Sequence, residues 1–110
     1  LEFPAGRIDH GEDIVTCAHR ELGEECAYQA DSIEKLFSYY SSPGISTEIL
    51  HVCIARGLKP VVKGKGDADE IITPTIKTMQ ELDALVARGE INDAKTLIGY
   101  YYFKQAGRNS

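Results

Sequence analysis

At 110 residues, 43% of them hydrophobic and 26% charged, the chain is long enough for one hydrophobic core and too short for two. Its net charge of −5 argues against a nucleic acid or an anionic membrane as partner, because either requires a basic face to neutralise phosphates. No apolar run approaches the roughly 20 residues that span a bilayer and the amino terminus lacks the order of a signal peptide, so the expected location is cytoplasmic.

In chain order, residues 1–3 read as a strand that runs straight into a Pro-Ala-Gly turn. So abrupt a start suggests that part of the domain is missing upstream. Residues 4–11 hold Pro4, Gly6 and Gly11 among polar neighbours and read as a loop. A helix is expected over 12–26, its first turn acidic where the helix dipole favours negative charge. Residues 36–40 and 48–55 are rich in aromatic and β-branched side chains and read as two strands, joined by a loop over 41–46 that carries Pro43 and Gly44. The Gly-, Lys- and Asp-rich residues 56–69 read as a mobile connection before a short strand over 70–76.

Thr78 and Glu81 have capping-box spacing, and Met79, Leu82, Leu85 and Val86 recur on one helical face until Gly89 stops the helix. A last helix over 92–105 carries Ala94, Leu97, Ile98 and Tyr101 in phase, and its triple Tyr100 to Tyr102 reads as packing rather than as a platform for bases. Cys17, Cys26 and Cys53 are odd in number and lack metal-type pairing, so they read as reduced thiols, mostly buried. No internal repeat or linker interrupts the chain, which points to one mixed α/β unit.

The stretch HRELGEEC, residues 19–26, is unusual in crowding Glu21, Glu24 and Glu25 beside Arg20. Carboxylates three and four residues apart on a helix repel by a few tenths of a kcal/mol per pair. With Ile14 at zero and roughly 100° per residue, Cys17 lies near about −60°, Glu21 near about −20°, Glu25 near about +20° and Glu24 near about −80°. The stripe that begins apolar therefore turns into carboxylate. One reading is a solvated acidic face, but such a face belongs opposite the apolar stripe, not in line with it. The other is a half-buried cluster that needs a counter-charge beyond the single one of Arg20, which a divalent cation with oxygen ligands would provide.

The full stretch GRIDHGEDIVTCAHRELGEECAY, residues 6–28, resembles the signature of the Nudix hydrolases, G-x5-E-x7-R-E-U-x-E-E-x-G-U, where U is a bulky apolar residue. Gly6, Glu12, Arg20, Glu21, Leu22, Glu24, Glu25 and Tyr28 fall on its fixed positions, and Ala27 stands where the family has glycine. That glycine helps the chain leave the helix, so Cys26 or Ala27 is expected to take a less comfortable backbone conformation.

The resemblance implies a Nudix-type α/β/α sandwich with a mixed sheet, lacking its amino-terminal strands, as a single domain over residues 1–110. It implies Mg2+ or Mn2+ held by Glu21, Glu24 and Glu25 with the backbone carbonyl of Ala5, while Glu12 and Arg20 pair structurally to hold the loop at Gly6 against the helix. Pro43, together with PAGRIDHGE and GEINDAKT, resembles the ADP-ribose pyrophosphatase branch, which extends the likeness over nearly the whole chain. By that likeness Arg7, Pro43, Gly44 and Glu48 would face the substrate. Glu25 would be catalytic, and Asp67, Asp69 or Glu70 would supply the base. The same acidic stretch also reads as a plain solvated loop.

The expected reaction is hydrolysis of ADP-ribose to AMP and ribose 5-phosphate by a homodimer of the intact protein. Two alternatives stand beside it: another nucleoside diphosphate sugar such as GDP-mannose, and a non-catalytic nucleotide-binding sensor. His10, His19 and His51 read as packed or solvent-facing side chains. Ser41 and Ser42 have no paired histidine and acid within reading distance, which disfavours nucleophilic chemistry.

Overall fold

The computed structural model describes residues 1–61 and 74–107. Two compact units are present, one formed by Pro4–Thr73 and the other by Leu1–Phe3 with Pro74–Ser110.

The first unit opens with a loop that closes on itself before the helix. The Glu12 N–H donates to the Asp9 carbonyl at 3.0 Å, the Asp9 N–H donates to Glu12 Oε1 at 3.0 Å, and Gly11 supplies the left-handed residue of the turn at φ +79°. Helix α1, Ile14–Glu21, begins two residues later than the sequence predicts because Asp13 caps it, its carboxylate accepting the Thr16 N–H at 2.7 Å. From Leu22 to Cys26 the winding changes to a π-turn. The helix expected over 12–26 is thus two geometries in series, and the 100° wheel does not hold past Glu21. Ala27 ends the turn in the left-handed region at φ +58°, ψ +40°, the strained exit that its replacement of glycine predicts.

Past Ala27, β1 (Tyr28–Gln29) pairs antiparallel with β4 (Lys59–Pro60), and β2 (Ser32–Tyr40) pairs antiparallel with β3 (Ile49–Arg56). Both pairings among the described residues are antiparallel. The hairpin is in register from Tyr40↔Ile49 to Phe37↔Val52 and from Lys35↔Cys53 to Ser32↔Arg56, with an irregularity between Lys35 and Phe37 that leaves Leu36 as the extra residue. β2 starts four residues before the expected strand because Ser32, Glu34 and Lys35 are exposed, so β3's backbone and not burial specifies them. Helix α1 packs on β2 and β3.

The second unit contains helix α2, Met79–Ala87, and helix α3, Ala94–Gln105. The capping box at α2 is complete: the Thr78 hydroxyl accepts the Glu81 N–H at 3.1 Å and the Glu81 carboxylate accepts the Thr78 N–H at 2.9 Å. Gly89 ends that helix at φ +71°. The Tyr100 hydroxyl donates to Asp83, which is also paired with Lys104, and this tie between α2 and α3 pushes the Tyr100 phenol up to about 12.

Residues 1–3 do not form the expected strand; the Phe3 N–H instead donates to the Thr96 hydroxyl at 2.9 Å. Of the strand expected over 70–76, residues 70–73 lie outside the described residues and 74–76 form no strand. The connection expected over 56–69 is β3's last residue, a turn at Gly57 and β4, with 62–69 outside the described residues. Of the tyrosine triple Tyr100 is buried, while Tyr101 and Tyr102 are exposed, the Tyr101 ring lying edge-on to that of Tyr100. Cys17 is buried while Cys26 and Cys53 are half-buried, and all three are free thiols.

Candidate functional site

The loop over residues 5–12 and the turn at 20–25 meet around one guanidinium. Arg20 Nε donates to Glu12 Oε2 at 2.8 Å and Nη2 to Glu12 Oε1 at 3.0 Å, a bidentate pair. Nη1 donates to Glu21 Oε1 at 2.7 Å and to Glu24 Oε2 at 3.0 Å, while Nη2 also donates to the Arg7 carbonyl at 2.8 Å. The five N–H donors of a guanidinium therefore have an oxygen apiece. Asp9 adds an ion pair at 3.5 Å.

This geometry has a clear electrostatic signature. The Arg20 hydrogen bonds, helped by the Asp9 N–H, lower the Glu12 carboxyl to about 2 from an ordinary value of 4.5. The same bonds raise Arg20 far above its usual range. Cys17 lies beneath, its thiol donating to the Arg7 carbonyl at 3.5 Å, and burial followed by the charge of Glu12 pushes that thiol up, which keeps it protonated and inert.

Glycine at position 6 has a steric cause. A Cβ there would lie 1.9 Å from the Glu21 carboxyl carbon, so the backbone of the loop lies directly against that carboxylate. The Ala5 N–H donates to Glu25 Oε2 at 2.9 Å. Along the turn, Glu21 and Glu25 are half-buried and the Glu24 side chain is 57% exposed.

The expected residues thus divide into three groups. Gly6, Arg7, Glu12, Glu21 and Glu24 gather around Arg20, and Ala5 joins Glu25 by a hydrogen bond. Among the described residues no three His, Cys, Asp or Glu side chains converge as a metal-holding group. Where the sequence counts Arg20 as a single counter-charge, its fork serves Glu12, Glu21 and Glu24 together. The donor set, three carboxylates with the loop backbone beside them, is nonetheless that of a hard divalent cation, which takes oxygen ligands.

Pro43, Gly44 and Glu48 lie in the exposed connection of the β2–β3 hairpin, where Gly44 has φ +87° and Glu48 accepts the Ser41 hydroxyl at 2.7 Å. Asp67, Asp69 and Glu70 lie outside the described residues. His10 and His19 are exposed, and His51 Nδ1 is 2.6 Å from the hydroxyl of Ser38, its cross-strand partner. Sequence reasoning missed the network at Asp93, Lys95 and Thr96, although Asp93 stands three residues before Thr96 with the spacing of a helix cap.

A family model described as NUDIX domain matches residues 1–98. The chain is 36% identical to the methanol dehydrogenase activator of Bacillus methanolicus over 105 residues, covering 94% of this chain and 57% of that protein. The figures are the same for the ADP-ribose pyrophosphatase of Bacillus subtilis. It is 38% identical over 104 residues to the GDP-mannose pyrophosphatase of Yersinia enterocolitica, covering 93% of this chain and 54% of that one. The chain therefore spans little more than half the length of these relatives. A crystal structure titled as an ADP compounds hydrolase superposes with a TM-score of 0.74 at 24% identity, over 94% of this chain and 57% of that chain, and so shares the fold.

Proposed function

The chain belongs to the NUDIX domain family, and from that premise we propose that the intact protein hydrolyses the pyrophosphate bond of ADP-ribose, giving AMP and ribose 5-phosphate. The observation that carries this reading is the saturated Arg20 fork, which joins Glu12, Glu21 and Glu24 in the family's own spacing, with Glu21 against the Gly6 backbone. Residues 1–110 act in it as one catalytic domain.

Glu21, Glu24 and Glu25, with the carbonyl of Ala5, are the groups that would hold a magnesium or manganese ion. Such an ion, when bound, supplies charge neutralisation on the diphosphate and a more acidic water. Arg20 and Glu12 keep the loop seated on the helix. The Ala5 N–H orients the Glu25 carboxylate. Asp67, Asp69 or Glu70 accepts the proton of the attacking water. Arg7, Pro43, Gly44 and Glu48 contact the nucleotide sugar.

The test is incubation of the purified protein with Mg2+ and a panel of nucleoside diphosphate sugars, with products separated by chromatography. AMP from ADP-ribose, lost in Glu25→Gln, supports the proposal; no product from any sugar contradicts it. The Yersinia relative's name favours a second reading, GDP-mannose as substrate, which GMP release from that sugar would establish. The name methanol dehydrogenase activator belongs to a relative of equal similarity, and binding of nucleotide without turnover would favour a sensor. Self-association as a homodimer is supported by Ile98, Tyr101 and Tyr102, exposed on one face of α3 at the spacing of neighbouring turns. No helix among the described residues is long and apolar enough to cross a membrane, which is compatible with a cytoplasmic location.

A further inference from the structure

The last pair of the β2–β3 ladder is Tyr40↔Ile49, and the next two residues, Ser41 and Glu48, continue it by one bond, the Ser41 N–H donating to the Glu48 carbonyl at 3.2 Å. Residues directly opposite in an antiparallel pair send their side chains to the same face. Here the Ser41 hydroxyl donates to Glu48 Oε1 at 2.7 Å. The Glu48 N–H donates in turn to the Ser46 hydroxyl at 3.0 Å, so the residue is held at its amide, its carbonyl and its carboxylate. The connection is itself folded: the Ile45 and Ser46 N–H groups both donate to the Ser42 carbonyl, at 3.0 Å and 2.9 Å.

Glu48 is exposed, and an exposed glutamate samples many rotamers, which a ligand must immobilise when it binds. The backbone already brings Ser41 opposite it, so the hydroxyl orders the carboxylate with little further cost. A carboxylate repels a diphosphate and accepts hydrogen bonds from hydroxyls, which suits it to the sugar of a nucleoside diphosphate sugar and not to the phosphates. We propose that Ser41 is a positioning residue: its hydroxyl holds Oε1 and fixes the Glu48 carboxylate before substrate arrives, leaving Oε2 to accept a sugar hydroxyl. The functional consequence rests on the reading of Glu48 as a substrate contact. The ordering of its side chain does not.

The experiment combines NMR three-bond couplings, which report the Glu48 χ1 rotamer in the substrate-free protein, with steady-state kinetics on ADP-ribose and Mg2+, for the wild type, Ser41→Ala, Ser41→Thr, Glu48→Ala and the Ser41→Ala/Glu48→Ala double variant. The wild type shows one Glu48 rotamer and Ser41→Ala an averaged set. KM for ADP-ribose rises roughly fivefold in Ser41→Ala, the size of one net hydrogen bond, while kcat is kept. Ser41→Thr, which retains the hydroxyl, restores both the rotamer and KM. In the Glu48→Ala background Ser41→Ala has no further effect, because the hydroxyl acts through the carboxylate. An averaged rotamer in the wild type, or the same single rotamer in Ser41→Ala, overturns the proposal. So does an effect of Ser41→Ala on KM that persists without the Glu48 carboxylate, or a KM left unchanged by Ser41→Ala. A wild type that does not turn over ADP-ribose contradicts the functional reading separately, and the couplings still decide whether Ser41 orders Glu48.

Discussion

Ala27 shows what a single missing glycine does to this turn. The sequence locates the strain because the signature has glycine there, and the backbone at φ +58° bears it out. A non-glycine residue in the left-handed region costs about 1–2 kcal/mol, partly offset in the variant by the greater freedom of unfolded glycine. Ala27→Gly should therefore stabilise the protein by about 1 kcal/mol in denaturant unfolding, and a loss of stability would contradict this account of the exit. Glu12 carries a second residue-scale expectation. Its folded carboxyl is held near 2 against 4.5 unfolded, so its contribution is complete above pH 4.5, declines as pH falls through the interval and is gone below about 2. Stability measured against pH should lose part of its slope across that window in Glu12→Gln; an unchanged slope would mean that the Arg20 pair does not hold Glu12 in solution.

At the scale of elements, the sequence disclosed capping and periodicity better than winding. The capping box at Thr78 was legible because two side chains three residues apart suffice to specify it, and Thr78→Ala should cost about 1 kcal/mol by thermal unfolding; no change would show α2 to be held by packing alone. The π-turn at Leu22–Cys26 was not legible, because no residue type in LGEEC marks a five-residue winding. It nevertheless leaves Arg20 able to serve Glu24 as well as Glu12 and Glu21. Strand β2 was found only from Leu36 onward, since Ser32 to Lys35 hold one half-buried side chain, Ile33, and owe their extended form to β3. The loop at Gly6 is a functional element in the same sense. Gly6→Ala must displace the Glu21 carboxylate from its place beside Arg20, and Mn2+ affinity should fall roughly tenfold; an unaffected affinity would remove Glu21 from the ligand set.

For the whole molecule, the family and the fold were legible from one spaced motif, while the organisation of the site was not. Spacing gives the identity of Glu21, Glu24 and Glu25, but it does not reveal that one guanidinium with five donors holds two of them together with Glu12. Nor does it reveal the network at Thr96, whose partner Phe3 is 93 residues away in the chain. Local pattern reports helices and caps, whereas contacts of such separation depend on the folded chain. The account as a whole depends on the glutamate turn being a divalent-cation site. Calorimetric titration of Mn2+ into the wild type and Glu25→Gln measures this directly: the wild type should bind, and the variant roughly tenfold or more weakly. Absence of binding heat in the wild type, or equal affinity in the two proteins, would contradict it.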